Sequence, residues 1–186
     1  MELIGLYLVA CYLLVEAGLG KAIRPDATAR ALASLPVNRW PVRWVQRLVR
    51  VGSLAELCLG LVALAFPGSP AAWLVAASYA AFAAVLALVR WSGGSLASCG
   101  CFGTPDTPAT ALHLVVDVAL CAAAAGVAAD HPAGSMFRVL AHQPAAGVPL
   151  VAVSALAAWL AYLAVSVLAD LQAARALASV RFGRSR

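Results

Sequence analysis

Ala71-Ala72-Trp73-Leu74-Val75-Ala76-Ala77-Ser78-Tyr79-Ala80-Ala81-Phe82-Ala83-Ala84-Val85-Leu86-Ala87-Leu88-Val89 runs for 19 residues without a charged side chain. A helix needs about 20 predominantly apolar residues to cross the hydrocarbon layer of a bilayer, and this stretch supplies them. Four further stretches read the same way: Leu3–Ile23, Val51–Ala65, Ala109–Ala129 and Val148–Ala169. Val51–Ala65 is short as written and reaches a spanning length when its helix begins near Val45. Of the 186 residues, 63% are hydrophobic, against about 45–50% apolar in a soluble domain, and mean hydropathy is +0.90. A water-soluble core of this size has no room for so much apolar surface. The expected fold is all-α, a polytopic membrane helical bundle seated in the lipid bilayer. The first span does not read as a cleaved signal peptide, because it lacks a basic leading region, carries Glu16 and has no small-residue cleavage pattern before Lys21.

The formal net charge is +5. A nucleic-acid partner would call for one soluble basic face, whereas here the basic residues flank apolar spans, which excludes that class. Lys21, Arg24, Arg30, Arg39, Arg43, Arg47 and Arg50 lie between the first two spans, and Arg175, Arg181, Arg184 and Arg186 follow the last. With five spans, the first connection, the connection after span three and the C-terminus share one side. Counting Lys21 and Arg90 there, that side holds every basic residue except Arg138. The positive-inside rule then places the N-terminus outside and the C-terminus in the cytoplasm, in a multi-pass protein of the cell (plasma) membrane. A four-span count would reverse the side of the third connection relative to one terminus.

Between spans one and two, residues 36–50 mix Trp40, Trp44 and aliphatic positions with arginines. From Pro41 onward this reads either as an amphipathic helix in the headgroup region, anchored by the tryptophans, or as a basic collar that only fixes topology. Pro67-Gly68-Ser69-Pro70 is a tight turn, so spans two and three are expected to be antiparallel neighbours. Trp91-Ser92-Gly93-Gly94-Ser95 ends span three, and Thr107 with Pro108 is a start signal for span four. Asp130 to Gly147, with breaks at Pro132, Pro144 and Pro149, reads as a loop before span five. The alanine-rich fourth and fifth spans suit close helix approach.

The chemistry-bearing stretch is Ser98-Cys99-Gly100-Cys101-Phe102-Gly103 in the third connection. Disulfides form only when the Cα atoms lie within roughly 7 Å, and Gly100 removes the side chain that would resist so tight a turn. A small strained ring makes a labile disulfide, and a loop opening onto a helix N-terminus favours a thiolate. Two blander readings compete: half of a metal site, for which no second Cys/His pair lies near, and two incidental loop thiols. No metal is expected. Cys11, Cys58 and Cys121 sit inside spans, where cysteine behaves as a small apolar residue.

Ionisable residues inside the membrane are costly and mark sites. Glu16 and Lys21 fall in span one, Glu56 in span two, and His113 and Asp117 in span four. His113 and Asp117 are four apart on one helix face, and His113 stands about one turn into its helix, where it can handle the proton of a thiol. Lys21 pairs with Glu56 or Glu16, or snorkels to the headgroups. Glu56 is a functional carboxyl or a structural hydrogen-bonding group between two helices.

Gly18-Leu19-Gly20-Lys21, Leu54-Ala55-Glu56-Leu57-Cys58-Leu59-Gly60 and Cys99-Gly100-Cys101-Phe102-Gly103 occur in an order that resembles the MauE family of methylamine-utilisation membrane proteins, within the wider DoxX-like group. The resemblance implies a four-helix transmembrane core over residues 1–130. Residues 131–186 then add a loop, a fifth transmembrane helix and a basic tail. It also implies a membrane thiol–disulfide redox protein that exchanges reducing equivalents with a thioredoxin-like partner and supports disulfide maturation of exported proteins. Carried over by position, Cys99 and Cys101 are the redox pair, Lys21 and Glu56 are family-pattern polar residues, and His113 and Asp117 join them from the reading above. No cofactor is firmly implied, with a quinone left open. Oxidising exported clients directly would need the pair to face outward, whereas the basic residues place it inward. Two other classes stay open: a non-catalytic accessory subunit of a larger membrane complex, suggested by the alanine-rich spans and the absence of a soluble domain, and a transporter, suggested by Glu16, Glu56 and Asp117.

Overall fold

Prolines set the boundaries of the first helices. The computed structural model describes residues 3–33, 40–91, 111–130 and 143–183. Helix α1, Ile4–Ile23, ends at Arg24, whose φ of −128° and ψ of 72° are the extended conformation that a following proline imposes. Pro25 then opens α2, Pro25–Ala33, at a first helical position where its missing N–H costs nothing. Pro41 precedes α3, Val42–Ala65, and Phe66 before Pro67 is again extended, with φ −132° and ψ 81°. Helix α4 runs Ser69–Trp91, α5 runs Ala111–Ala129 and α6 runs Pro144–Gly183. There is no strand among the described residues. Five helices, all but α2, are long and apolar enough to cross a membrane.

Helix α1 is the axis of the assembly and touches each of the others. Its most extensive partner is α3, and glycine explains why. A Cβ on Gly18 would lie 2.8 Å from both Leu57 N and Ser53 O, and one on Gly60 would lie 3.1 Å from Cys11 O. Only a residue without a side chain lets these backbones approach so closely, which is how helices gain dispersion contacts when lipid is as apolar as their own surfaces. Gly18 against Ser53 and Leu57, with Gly60 against Cys11 and Val15, runs the two helices antiparallel.

Helices α4 and α5 form the second antiparallel pair, in which Ser69 Oγ at the start of α4 donates to Ala128 O near the end of α5 at 3.0 Å. The pairs meet in a core of Tyr7, Cys11, Leu14, Val75, Tyr79, Leu120 and Ala124 with their neighbours. Helix α6 packs chiefly on α1. The outer surface is apolar too: Leu61, Val62, Trp73, Leu74, Leu156, Trp159 and Leu160 are exposed, as a bilayer requires.

Several expectations need correction. Residues from Pro41 onward do not form a separate interfacial helix; Val42–Ala65 is one continuous helix of 24 residues, and its start packs Val45 and Val49 against Ala29 of α2. Helix α2 itself was not expected, because nine residues of mixed polarity carry no hydropathy signal; Gln46 Nε2 donates to Asp26 Oδ1 at 3.0 Å and ties it to α3. The loop read to Gly147 ends earlier, since α6 begins at Pro144 and carries Pro149 inside it. A proline removes one backbone hydrogen bond, and membrane helices tolerate that loss. The same helix outruns its expected end at Ala169 and reaches Gly183. Spans two and three do touch, but α3 packs mainly on α1 and α4 mainly on α5.

Candidate functional site

Gly18 seats α1 directly on the turn of α3 from Ser53 to Leu57, which carries Glu56, and Lys21 stands one turn further along α1, within reach of that carboxylate. Lys21 Nζ and Glu56 Oε2 form an ion pair. Lys21 is only 6% exposed, so it does not snorkel to the headgroups. Its ammonium also lies 4.3 Å from the centre of the Phe82 ring of α4, a cation–π contact that is strongest where water is excluded. Phe82 in turn meets Tyr79 edge to face at 5.8 Å. From α5, Asp117 lies within electrostatic reach of the same ammonium. Lys21, Glu56 and Phe82 thus meet at one point from α1, α3 and α4, and Asp117 of α5 adds its charge to their surroundings.

Around the ion pair the remaining polar groups are few. Tyr79 Oη donates to Ala10 O at 2.7 Å across the α4–α1 interface. Cys11 is buried and free, and interacts with Tyr7 one turn earlier on α1. Among the described residues Glu56 Oε2 has no hydrogen-bond donor of good geometry, so Lys21 is its compensation. Glu16 is half-buried on α1, and among the described residues its carboxylate forms no ion pair with Lys21.

His113 is buried near the start of α5, with Asp117 one turn later. Cys99, Cys101, Thr107 and Pro108 lie outside the described residues. Their chain positions are nevertheless informative, because residues 92–110 join Trp91 of α4 to Ala111 of α5. The end of α4 and the start of α5 lie at the same end of this antiparallel pair, where α5 carries His113 and Asp117. Cys58 is exposed on α3 and Cys121 is partly buried on α5, both as free thiols. No three His, Cys, Asp or Glu side chains converge as metal ligands among the described residues. Phe82 and Tyr79 were not foreseen as site residues, since an aromatic in an apolar run looks like core until its cation is known.

Four apolar helices closing around a buried ammonium and two carboxyl groups define a multi-pass helical membrane protein with an internal polar site. Residues 2–130, which contain α1 to α5, match the family model described as methylamine utilisation protein MauE. The chain belongs to that family. No curated protein and no solved structure matches it.

Proposed function

We propose that this protein is a membrane thiol–disulfide redox protein, in which Cys99 and Cys101 exchange reducing equivalents with a thioredoxin-like partner and support disulfide maturation of exported proteins. Membership in a methylamine-utilisation family fits such a supporting role. What supports the reading is the order of the chain: the Cys-Gly-Cys stretch falls in sequence between α4 and α5, the helices that supply Phe82, His113 and Asp117. The catalytic groups are Cys99 and Cys101, with His113 handling protons and Lys21, Glu56 and Asp117 as the supporting polar set. This chemistry belongs to residues 1–130, to which α6 and the basic tail of residues 131–186 are an addition.

In the reducing direction, a thiolate of the pair attacks the partner's disulfide. That S–S bond breaks, a mixed disulfide forms, and the released partner thiolate takes up a proton. The second cysteine then attacks the mixed disulfide, freeing the partner's other thiol and closing Cys99–Cys101. Two electrons and two protons have passed to the partner, and the same steps reversed return them.

The test is a trapping experiment with a thioredoxin-like protein and membranes carrying Cys101→Ala or Cys99→Ala. One of the two variants should accumulate a mixed disulfide that a reductant dissolves, and the double variant should accumulate none. Finding only free, unreactive thiols at both positions would refute the proposal.

A further inference from the structure

One ammonium cannot neutralise two carboxylates. Lys21 of α1 is committed to Glu56 of α3 by a direct ion pair, while Asp117 of α5 feels the same charge from further off. Tyr79, the titratable group that α4 presents here, is occupied by its hydrogen bond to Ala10 O, and Cys11 of α1 lies beyond it beside Tyr7. His113 shares a face of α5 with Asp117, one turn away, and is buried. With both acids ionised and the imidazole neutral, this cluster would hold a net negative charge inside an apolar bundle, which is strongly unfavourable. One proton, on Asp117 or on His113, restores neutrality.

We infer that Asp117 and His113 form a proton-binding site, together holding one exchangeable proton beside the fixed Lys21–Glu56 pair. The ion pair sets the occupancy: it uses up the only ammonium among the described residues of the cluster and leaves Asp117 with no full counter-ion. His113, two residues into α5, is the route by which the proton reaches the end of the bundle. The site is built entirely of described residues and does not depend on the cysteines. Only its use, as a source of the protons that thiol exchange needs, rests on the function proposed above.

Infrared spectroscopy of the full-length protein in lipid, in H2O and D2O, reads carboxyl protonation directly. In His113→Gln the proton has Asp117 as its holder, so at neutral pH a protonated-carboxyl C=O band should appear and shift in D2O. Adding Asp117→Asn should remove the intensity of one carboxyl, with helical circular dichroism unchanged. Adding Glu56→Gln instead should also abolish that component of the band, because Asp117 then ionises to become the counter-ion of Lys21. A side chain with a purely structural role would not respond in that way. Identical spectra for His113→Gln and His113→Gln/Asp117→Asn would overturn the inference, as would an Asp117-dependent component of the band that survives Glu56→Gln, Glu16 contributing equally to every spectrum. The readout is a carboxyl rather than a thiol, so it stands or falls separately from the cysteine chemistry.

Discussion

Lys21 is 6% exposed and has no bulk water to solvate its charge, so Glu56 and the Phe82 ring replace that water. Removing one partner of such a pair strands the other, at a cost of about 3–5 kcal/mol, whereas replacing both by apolar or neutral groups of similar volume is often tolerated. Lys21→Met should lower stability by that order in denaturant unfolding of the detergent-solubilised protein, and Glu56→Gln by less, because Asp117 ionises to take over as counter-ion of Lys21. The double variant should recover most of the loss. Additive losses would mean that the two side chains do not depend on each other. The sequence announced both residues as intramembrane charges and left Glu16 as a rival partner for Lys21. What decides between them is the contact of Gly18 with Ser53 and Leu57, a feature of packing that no spacing along one helix contains. Phe82 was illegible for a similar reason, since its contact is with a side chain 61 positions away.

Helix pairing places a second demand on particular residues. Gly18 and Gly60 sit where α1 and α3 touch backbone to backbone, while Gly52, on the same α3, has nothing within 4 Å of the Cβ it lacks. Gly18→Ala should therefore destabilise by about 1–3 kcal/mol through overpacking. Gly52→Ala should instead stabilise by up to about 1 kcal/mol, because alanine is the better helix former. Thermal unfolding of the two variants checks the opposite signs; equal effects would show that the α1–α3 contact is looser than the geometry implies. Hydropathy made the spanning helices legible because a bilayer demands long uncharged runs. It was silent on α2, whose start is set by Pro25 and whose short apolar face holds Ala29 and Leu32 against α3. It also misjudged the start of α6, where Pro144 begins the helix rather than breaking it. Prolines mark a boundary well, but not on which side of it the helix lies.

Across the whole molecule, charge is distributed far less evenly than polarity. With the five candidate spans among the described residues, and counting Lys21 and Arg90 with the first and third connections, the expected topology assigns all basic residues except Arg138 to the side of the first connection, the Cys99–Cys101 connection and the C-terminal tail. Trp40, Trp44, Arg43, Arg47 and Arg50 lie exposed there, at or just before the start of α3, with Arg47 stacked 5.4 Å from the centre of the Trp44 ring. Aromatic rings beside arginines are what the membrane–water boundary selects, and arginines resist translocation. The expected orientation therefore puts the cysteine pair on the cytoplasmic side, within reach of a cytoplasmic thioredoxin-like donor rather than of exported clients directly. A variant retaining only Cys99 and Cys101, with Cys11, Cys58 and Cys121 replaced by alanine, isolates the signal. After mild reduction, a bulky membrane-impermeant thiol reagent should label it in inside-out vesicles and leave it unlabelled in right-side-out ones. Labelling that appears only after reduction would also show that the pair rests as a disulfide. The opposite sidedness would turn the pair toward exported clients and require that a local feature outweigh the whole basic collar.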